Sequence, residues 1–144
     1  MKIQDCMTSD VRIAAPQETI RDAARAMADY DTGVLPVGEG DRLIGMITDR
    51  DIALRGIGEG KGPDCSVRDV MSKEVRYCYS DDSADDVLDN MRDLKVRRLP
   101  VLDRDKRLVG MVSLGDLATH GEAKHSGIAL SGIARPGGEH RQVI

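Results

Sequence analysis

The chain is written twice, and that fact restricts its fold more than any other. Nine residues, Leu43-Ile44-Gly45-Met46-Ile47-Thr48-Asp49-Arg50-Asp51, return as Leu108-Val109-Gly110-Met111-Val112-Ser113-Leu114-Gly115-Asp116. Both copies read Gly-Met-aliphatic-(Thr/Ser)-x-x-Asp. A shift of 64 residues lays Asp5-Cys6-Met7 on Asp69-Val70-Met71, Met27 on Met91, and Leu35-Pro36-Val37 on Leu99-Pro100-Val101. The shift then becomes 65, taking Gly45 to Gly110, Thr48 to Ser113 and Asp51 to Asp116. The extra residue falls among Asp103-Arg104-Asp105-Lys106, a charged turn where an insertion costs little. Two copies at this period point to a pseudo-symmetric pair, not a solenoid.

Each copy reads strand, helix, strand, strand, helix. In the first, Ile3 to Met7 is a lead-in and Val11 to Ala14 a short strand. Thr19-x-x-Asp22 opens a helix in capping-box fashion, with Ile20, Ala23, Ala24 and Met27 on one face. Val34 to Val37 and Arg42 to Thr48 are strands, and the turn Gly38-Glu39-Gly40-Asp41 is short enough to force a hairpin. A closing helix begins near Asp49. In the second copy Ser83-x-x-Asp86 opens the matching helix, with Ala84, Val87, Leu88 and Met91 inward. The crossover from first strand to second is expected to be right-handed.

One copy alone has too little core for comfort, so two should pack together. The expected fold class is α+β: two tandem strand-helix-strand-strand-helix domains packed pseudo-two-fold around small mixed sheets. Domain one is placed at 1–57 and domain two at 67–120. A linker at 58–66 lies in the Gly-rich stretch Arg55 to Ser66. The residues 121–144, with six prolines and glycines from Gly121 to Gly138, read as a flexible tail.

Composition removes several function classes. There is no Phe and no Trp, and the only tyrosines are Tyr30, Tyr77 and Tyr79, so the core must be aliphatic. The net charge of -4 gives no basic footprint for a duplex, and scarce aromatics give no stacking platform for single strands. No nucleic acid is expected. Lys2, Asp5 and Asp10 interrupt any apolar run at the start, so no signal peptide is expected. The longest uncharged stretch, Ser126 to Ala134, is too short to span a bilayer. Three cysteines without C-x-x-C spacing suggest a reduced, cytoplasmic protein. No nucleophile elbow, P-loop or H-E-x-x-H occurs, so no enzyme is expected.

The tandem units, the Asp-x-Met openings, the Leu-Pro-Val strands and the Gly-aliphatic-x-(Thr/Ser)-x-x-Asp endings together resemble the CBS-domain (cystathionine β-synthase domain) family. The resemblance covers about Ile3 to Ala118. A pair of such domains, a Bateman module, is implied to be regulatory. It would bind adenosine-containing ligands (AMP, ADP, ATP, S-adenosylmethionine or NADH) in clefts between its domains and require no cofactor. The resemblance also implies a homodimer and an unidentified effector protein, since the chain has no room for an effector domain of its own.

The candidate ligand residues each have a structural alternative. At Thr48 and Asp51, a helix N-terminus attracts phosphate, the hydroxyl adds a hydrogen bond, and the carboxylate accepts from ribose hydroxyls. The same spacing makes a near capping box worth roughly 0.5–2 kcal/mol. The two roles are compatible. Ser113 and Asp116 are the equivalent pair, but Gly115 replaces Arg50, a plausible phosphate contact. Pro36 and Pro100 lie inside strands, where proline marks an edge or leaves backbone open to meet the adenine edge. Val11, Val34 and Leu35, with Val75 and Leu99, would supply an aliphatic slot for the base. Arg97 and Arg98, near Lys95, either pair with acids such as Asp93 and Asp103 or meet a phosphate.

No metal is expected, because His120 and His125 do not share a helix face well and His140 lies far along the tail. Cys6, Cys65 and Cys78 read as small apolar residues, with a thiol switch at Cys65 as a lesser reading. The rivals to a nucleotide sensor are therefore a ligand-free dimerisation and docking scaffold, and a thiol or metal sensor.

Overall fold

A computed structural model of the chain describes residues 1–120 and 123–134. They fall into two compact units. The first holds Asp10–Arg76 with Asp105–Leu108, and the second holds Met1–Ser9, Tyr77–Arg104 and the chain from Val109 on. The architecture is the expected α+β, with small sheets and short helices.

The first unit contains α1 (Ile20–Asp29), β1 (Val34–Glu39), β2 (Arg42–Thr48) and α2 (Asp49–Asp51), which runs into a π-helical turn at Ile52–Ile57. Thr19 caps α1, its Oγ1 accepting from the Asp22 N–H at 3.0 Å. Ile20, Ala23, Ala26 and Met27 form the helix's buried stripe. β1 and β2 are an antiparallel hairpin with Val34 opposite Thr48 and a bulge after Val37. The core gathers that stripe with Ala14, Leu35, Val37, Ile47, Val67, Val70 and Met71.

The second unit contains β3 (Cys78–Tyr79), α3 (Ala84–Leu94), β4 (Arg98–Leu102), β5 (Leu108–Ser113), α4 (Leu114–His120) and α5 (Ala123–Ala134). Its sheet has the order β3-β4-β5, with Cys78 parallel to Val101. Its core joins Ile3, Cys6 and Cys78 to Val87, Leu88, Met91, Leu99, Val101, Val112 and Leu117.

The units do not follow the repeats. Each repeat's lead-in packs with the body of the other. The first lead-in lies in the second unit, where Ile3 N–H donates to Asp82 O at 3.0 Å and Gln4 N–H to Ser80 O at 2.9 Å. Thr8 and Met111 then exchange two hydrogen bonds, 2.8 and 2.9 Å. The second lead-in repeats the pattern in the first unit: Val67 N–H donates to Glu18 O at 2.7 Å, Arg68 N–H to Pro16 O at 3.0 Å, and Ser72 and Met46 exchange two bonds. This explains the glycine of the repeated motif. A Cβ on Gly45 would lie 2.6 Å from Met71 Sδ, and one on Gly110 2.7 Å from Thr8 O and 2.9 Å from Met7 Sδ. The Asp-x-Met opening and the Gly-Met ending are thus the two halves of one contact.

The first strand of each repeat is shorter than expected. Val11–Ala14 reduces to a single parallel bridge between Ala14 and Val37. Ala14 N–H donates to Pro36 O, and Gly38 N–H to Ala14 O, both at 2.9 Å. The next ladder bond back along the strand would need an N–H on residue 36, and proline has none. The second-repeat strand likewise begins only at Cys78, opposite the residue after Pro100. Pro100 is buried in β4, the middle strand of its sheet, and Pro36 is buried in β1, whose side away from β2 meets only the single bridge at Ala14; each shortens its parallel neighbour.

Two other expectations change. The linker is tied down, because Cys65 O and Pro63 O accept from the N–H groups of Ile20 and Arg21 at 3.0 and 3.1 Å. Those N–H groups open α1 and have no partner within the helix. The supposed flexible tail contains α5, which packs on α3 and α4. Ala129 is buried and Ile133 lies against the core. Gly132 sits so close to Arg92 that a Cβ would collide with that side chain. Glycine-rich composition suggests flexibility, whereas Gly132 permits a close helix contact. The rest of the expected tail, 135–144 with His140, lies outside the described residues, as does the His125 side chain. No described helix is long and apolar enough to cross a membrane.

The exchange predicts which fragments fold. Residues 1–66 lack Val67, Val70 and Met71, each worth about 1.5–3 kcal/mol of burial, which is large against the stability of a small domain. In thermal melts followed by circular dichroism, residues 10–76 should unfold cooperatively and residues 1–66 should not.

Candidate functional site

Thr48 ends β2 and caps α2. Its Oγ1 accepts from Asp51 N–H and its own N–H donates to Asp51 Oδ2, both at 3.0 Å. Ser113 and Asp116 do the same at the start of α4: Asp116 N–H donates to Ser113 Oγ at 3.0 Å, and Ser113 N–H to Asp116 Oδ2 at 2.9 Å. Both pairs are complete capping boxes. Each cap consumes one carboxylate oxygen and one lone pair of the hydroxyl, leaving the hydroxyl proton and the second carboxylate oxygen to act elsewhere.

The second oxygen differs between the copies. Asp51 Oδ1 is 3.0 Å from Arg55 Nη2, in a pair whose side chains are 21% and 42% exposed. On Asp116 the second oxygen has no hydrogen bond or ion pair among the described residues. The position matching Arg55 is His120, whose Nδ1 lies 2.8 Å from the backbone oxygen of Asp116. Sequence reasoning missed Arg55, although its i,i+4 spacing from Asp51 was the available signal.

The helix-terminus reading for phosphate does not carry over. α2 continues without a break into the turn at Ile52–Ile57, and α4 has seven residues, but the N–H groups that open them are not free. Local geometry uses their first N–H groups: Asp49 N–H donates to Gly33 O at 2.9 Å and Leu114 N–H to Arg97 O at 2.8 Å. Positive charge must therefore come from side chains. Arg50, Arg97 and Arg98 are exposed. None of the three forms an ion pair among the described residues, and Asp93 instead pairs with Arg92. Arg97 and Arg98 stand where the first repeat has Gly33 and Val34. Arg97 is fixed beside the start of α4 by its own carbonyl.

The aliphatic slot is only partly available. Leu35 and Leu99 are 1% and 2% exposed and belong to the cores, so their side chains line no open surface of their units. Val11 and Val34 are half-buried. Val11, Val34, Pro36, Thr48, Arg50 and Asp51 all lie in the first unit. Arg97, Arg98, Pro100, Ser113 and Asp116 lie in the second, whereas Val75 falls in the first. Around the shortened strand, the carbonyl of Arg12 lacks the ladder donor that a residue other than proline would have supplied at position 36.

Cys6 and Cys78 are buried in the second unit's core. Burial, then the charge of Asp116 and that of Asp5, pushes the Cys6 thiol above its ordinary value. Burial is also the main cause raising Cys78 to about 12, with Asp82 and Cys6 adding to it. Cys65 is half-buried.

Comparison with known proteins places these features in context. The CBS-domain pattern matches residues 3–57 and 67–122. The CBS domain-containing protein YhcV of Bacillus subtilis is 40% identical over 133 residues, covering 92% of this chain and 94% of its own. The crystal structure of Hypoxic Response Protein I with two coordinated zinc ions is 35% identical with a TM-score of 0.77, over 85% of this chain and 100% of that one. The crystal structure of CBSX2 in complex with AMP shares the fold, with a TM-score of 0.74 at 24% identity over 83% and 94% of the two chains. Among the described residues of this chain, no group of three or more His, Cys, Asp or Glu side chains is placed to hold a metal.

The thiols give a direct check. Thiolate is the reactive form, and a raised pKa withholds it at neutral pH. Iodoacetamide at pH 8 should modify Cys65 first and leave Cys6 and Cys78 unmodified until denaturant is added, as read by peptide mass spectrometry.

Proposed function

The chain belongs to the CBS-domain family, and from that premise we propose that it is a regulatory module that reversibly binds an adenosine-containing ligand and acts on a partner protein. The observation that carries this reading is the repeated pairing of a capped hydroxyl with a carboxylate that retains a second oxygen. Such a carboxylate accepts from the two ribose hydroxyls without giving up the cap. Arg97 and Arg98 in one repeat, and Arg50 in the other, supply charge for phosphate or for a carboxylate. Backbone beside the shortened first strand offers unpaired polar groups to the base, and half-buried Val11 and Val34 offer apolar contact. The complex of CBSX2 with AMP supports the ligand class.

Regulation follows if the ligand binds one arrangement of the chain better than another, because only differential affinity shifts a population. No covalent step is involved, and no enzyme activity is assigned. The reading includes a homodimer and an effector protein, both carried by the family resemblance.

Isothermal titration with AMP, ADP, ATP, S-adenosylmethionine and NADH tests it. At least one should give saturable heat and raise the melting temperature, since a ligand that binds only the folded state stabilises it. Asp116→Ala should weaken that response and also cost about 0.5–2 kcal/mol through the lost cap. A stability loss with no ligand response in any form of the protein would leave the carboxylates as caps and favour the scaffold.

A further inference from the structure

The two repeats offer unequal sites. In the second, one carboxylate oxygen of Asp116 and the guanidinium groups of Arg97 and Arg98 have no partner among the described residues, and Arg97 is held at the start of α4 through its carbonyl. In the first, the equivalent oxygen on Asp51 already holds Arg55 Nη2 at 3.0 Å. Glycine and valine replace the two arginines there. We propose that Arg55 is an internal competitor for the ribose-binding oxygen of Asp51, so that the chain takes its adenosine ligand preferentially at Asp116. This rests on the reading of Asp51 and Asp116 as ribose contacts.

The chemistry is a direct competition. A carboxylate oxygen engaged by a guanidinium must release it before accepting two hydroxyl donors. The Arg55–Asp51 pair is partly exposed, and pairs of that kind are weak, so Arg55 tunes the first site and does not seal it. The expected handicap is about two- to fivefold in affinity. In the second repeat, His120 spends its Nδ1 on the backbone oxygen of Asp116 and leaves the carboxylate open. Arg55 is also poorly served where it stands, because its Nε is buried without a hydrogen-bond partner. Its present position is thus set by Asp51 and not by a full set of partners.

The test uses adenosine, which lacks phosphate and so isolates the ribose contact, with AMP in parallel. Titrations would compare wild type, Asp116→Asn, and Asp116→Asn combined with Arg55→Gln, each first shown to melt cooperatively. Asp116→Asn should weaken adenosine binding by about two- to fivefold, as uptake passes to the handicapped first site. Adding Arg55→Gln should then recover about two- to fivefold. Unchanged binding in Asp116→Asn would overturn the preference while leaving the nucleotide reading intact. A further fall on adding Arg55→Gln would show that Arg55 holds the ligand, and would also overturn the proposal. No uptake of adenosine or AMP by the wild type would remove both. Should the Arg55 variant not fold, His120→Arg places an arginine at the same spacing from Asp116. It should weaken wild-type binding by a similar factor, and an unchanged affinity would sink the idea.

Discussion

Everything else in this fold depends on the contact between a methionine lead-in and a glycine in a strand. Met71 lies on Gly45 and Met7 on Gly110, so tightly that no Cβ fits at either glycine. The contact brings each lead-in close enough to exchange two backbone hydrogen bonds with the methionine after the glycine. It also delivers Ile3 or Val67, both fully buried, to a core that lacks a large aromatic residue to fill it. In an aliphatic core of this size, one such side chain is a sizeable share of the net stability. Because the lead-in comes from the other repeat, the interaction fixes topology as well as packing.

Much of this was legible in the sequence, and the exceptions have physical causes. Element order followed from periodicity and caps: Thr19 with Asp22 and Ser83 with Asp86 mark the helix starts. The repeat itself revealed the position of the loop indel. It did not reveal the exchange, because internal similarity says which segments are alike and not which copy each segment joins. The shortened first strands were hidden for a different reason. Val11 to Ala14 carries ordinary strand residues, and what stops the ladder is a proline more than twenty positions later, at Pro36. The tail misled through composition. Glycine counts toward flexibility in a list, but Gly132 against Arg92 is a packing residue.

At the candidate site, spacing located the hydroxyl–carboxylate pairs, and the structure shows both engaged as caps. That makes them rigid. A carboxylate held by one oxygen presents the other in a fixed direction, so the structural role is compatible with the proposed ligand role. The slot residues fared less well. Leu35 and Leu99 were chosen for hydrophobicity, which equally describes core, and burial decided between the two. Arg55 was passed over because it lies in a stretch read as linker. Its importance depends on an ion pair that becomes visible only once the turn after α2 is in place.

The exchanged lead-ins also dictate a timetable during synthesis. Met1–Ser9 is made before any of its core partners, all of which lie at Cys78 or later. Asp10–Arg76 can complete its own core as soon as its last residues emerge, apart from the short return at Asp105–Leu108. Met1–Ser9 therefore waits for its place until the second repeat is made, and the second unit closes over a sequence separation that slows folding. Until then Ile3 and Cys6 have no core to enter, and chaperones have their opportunity.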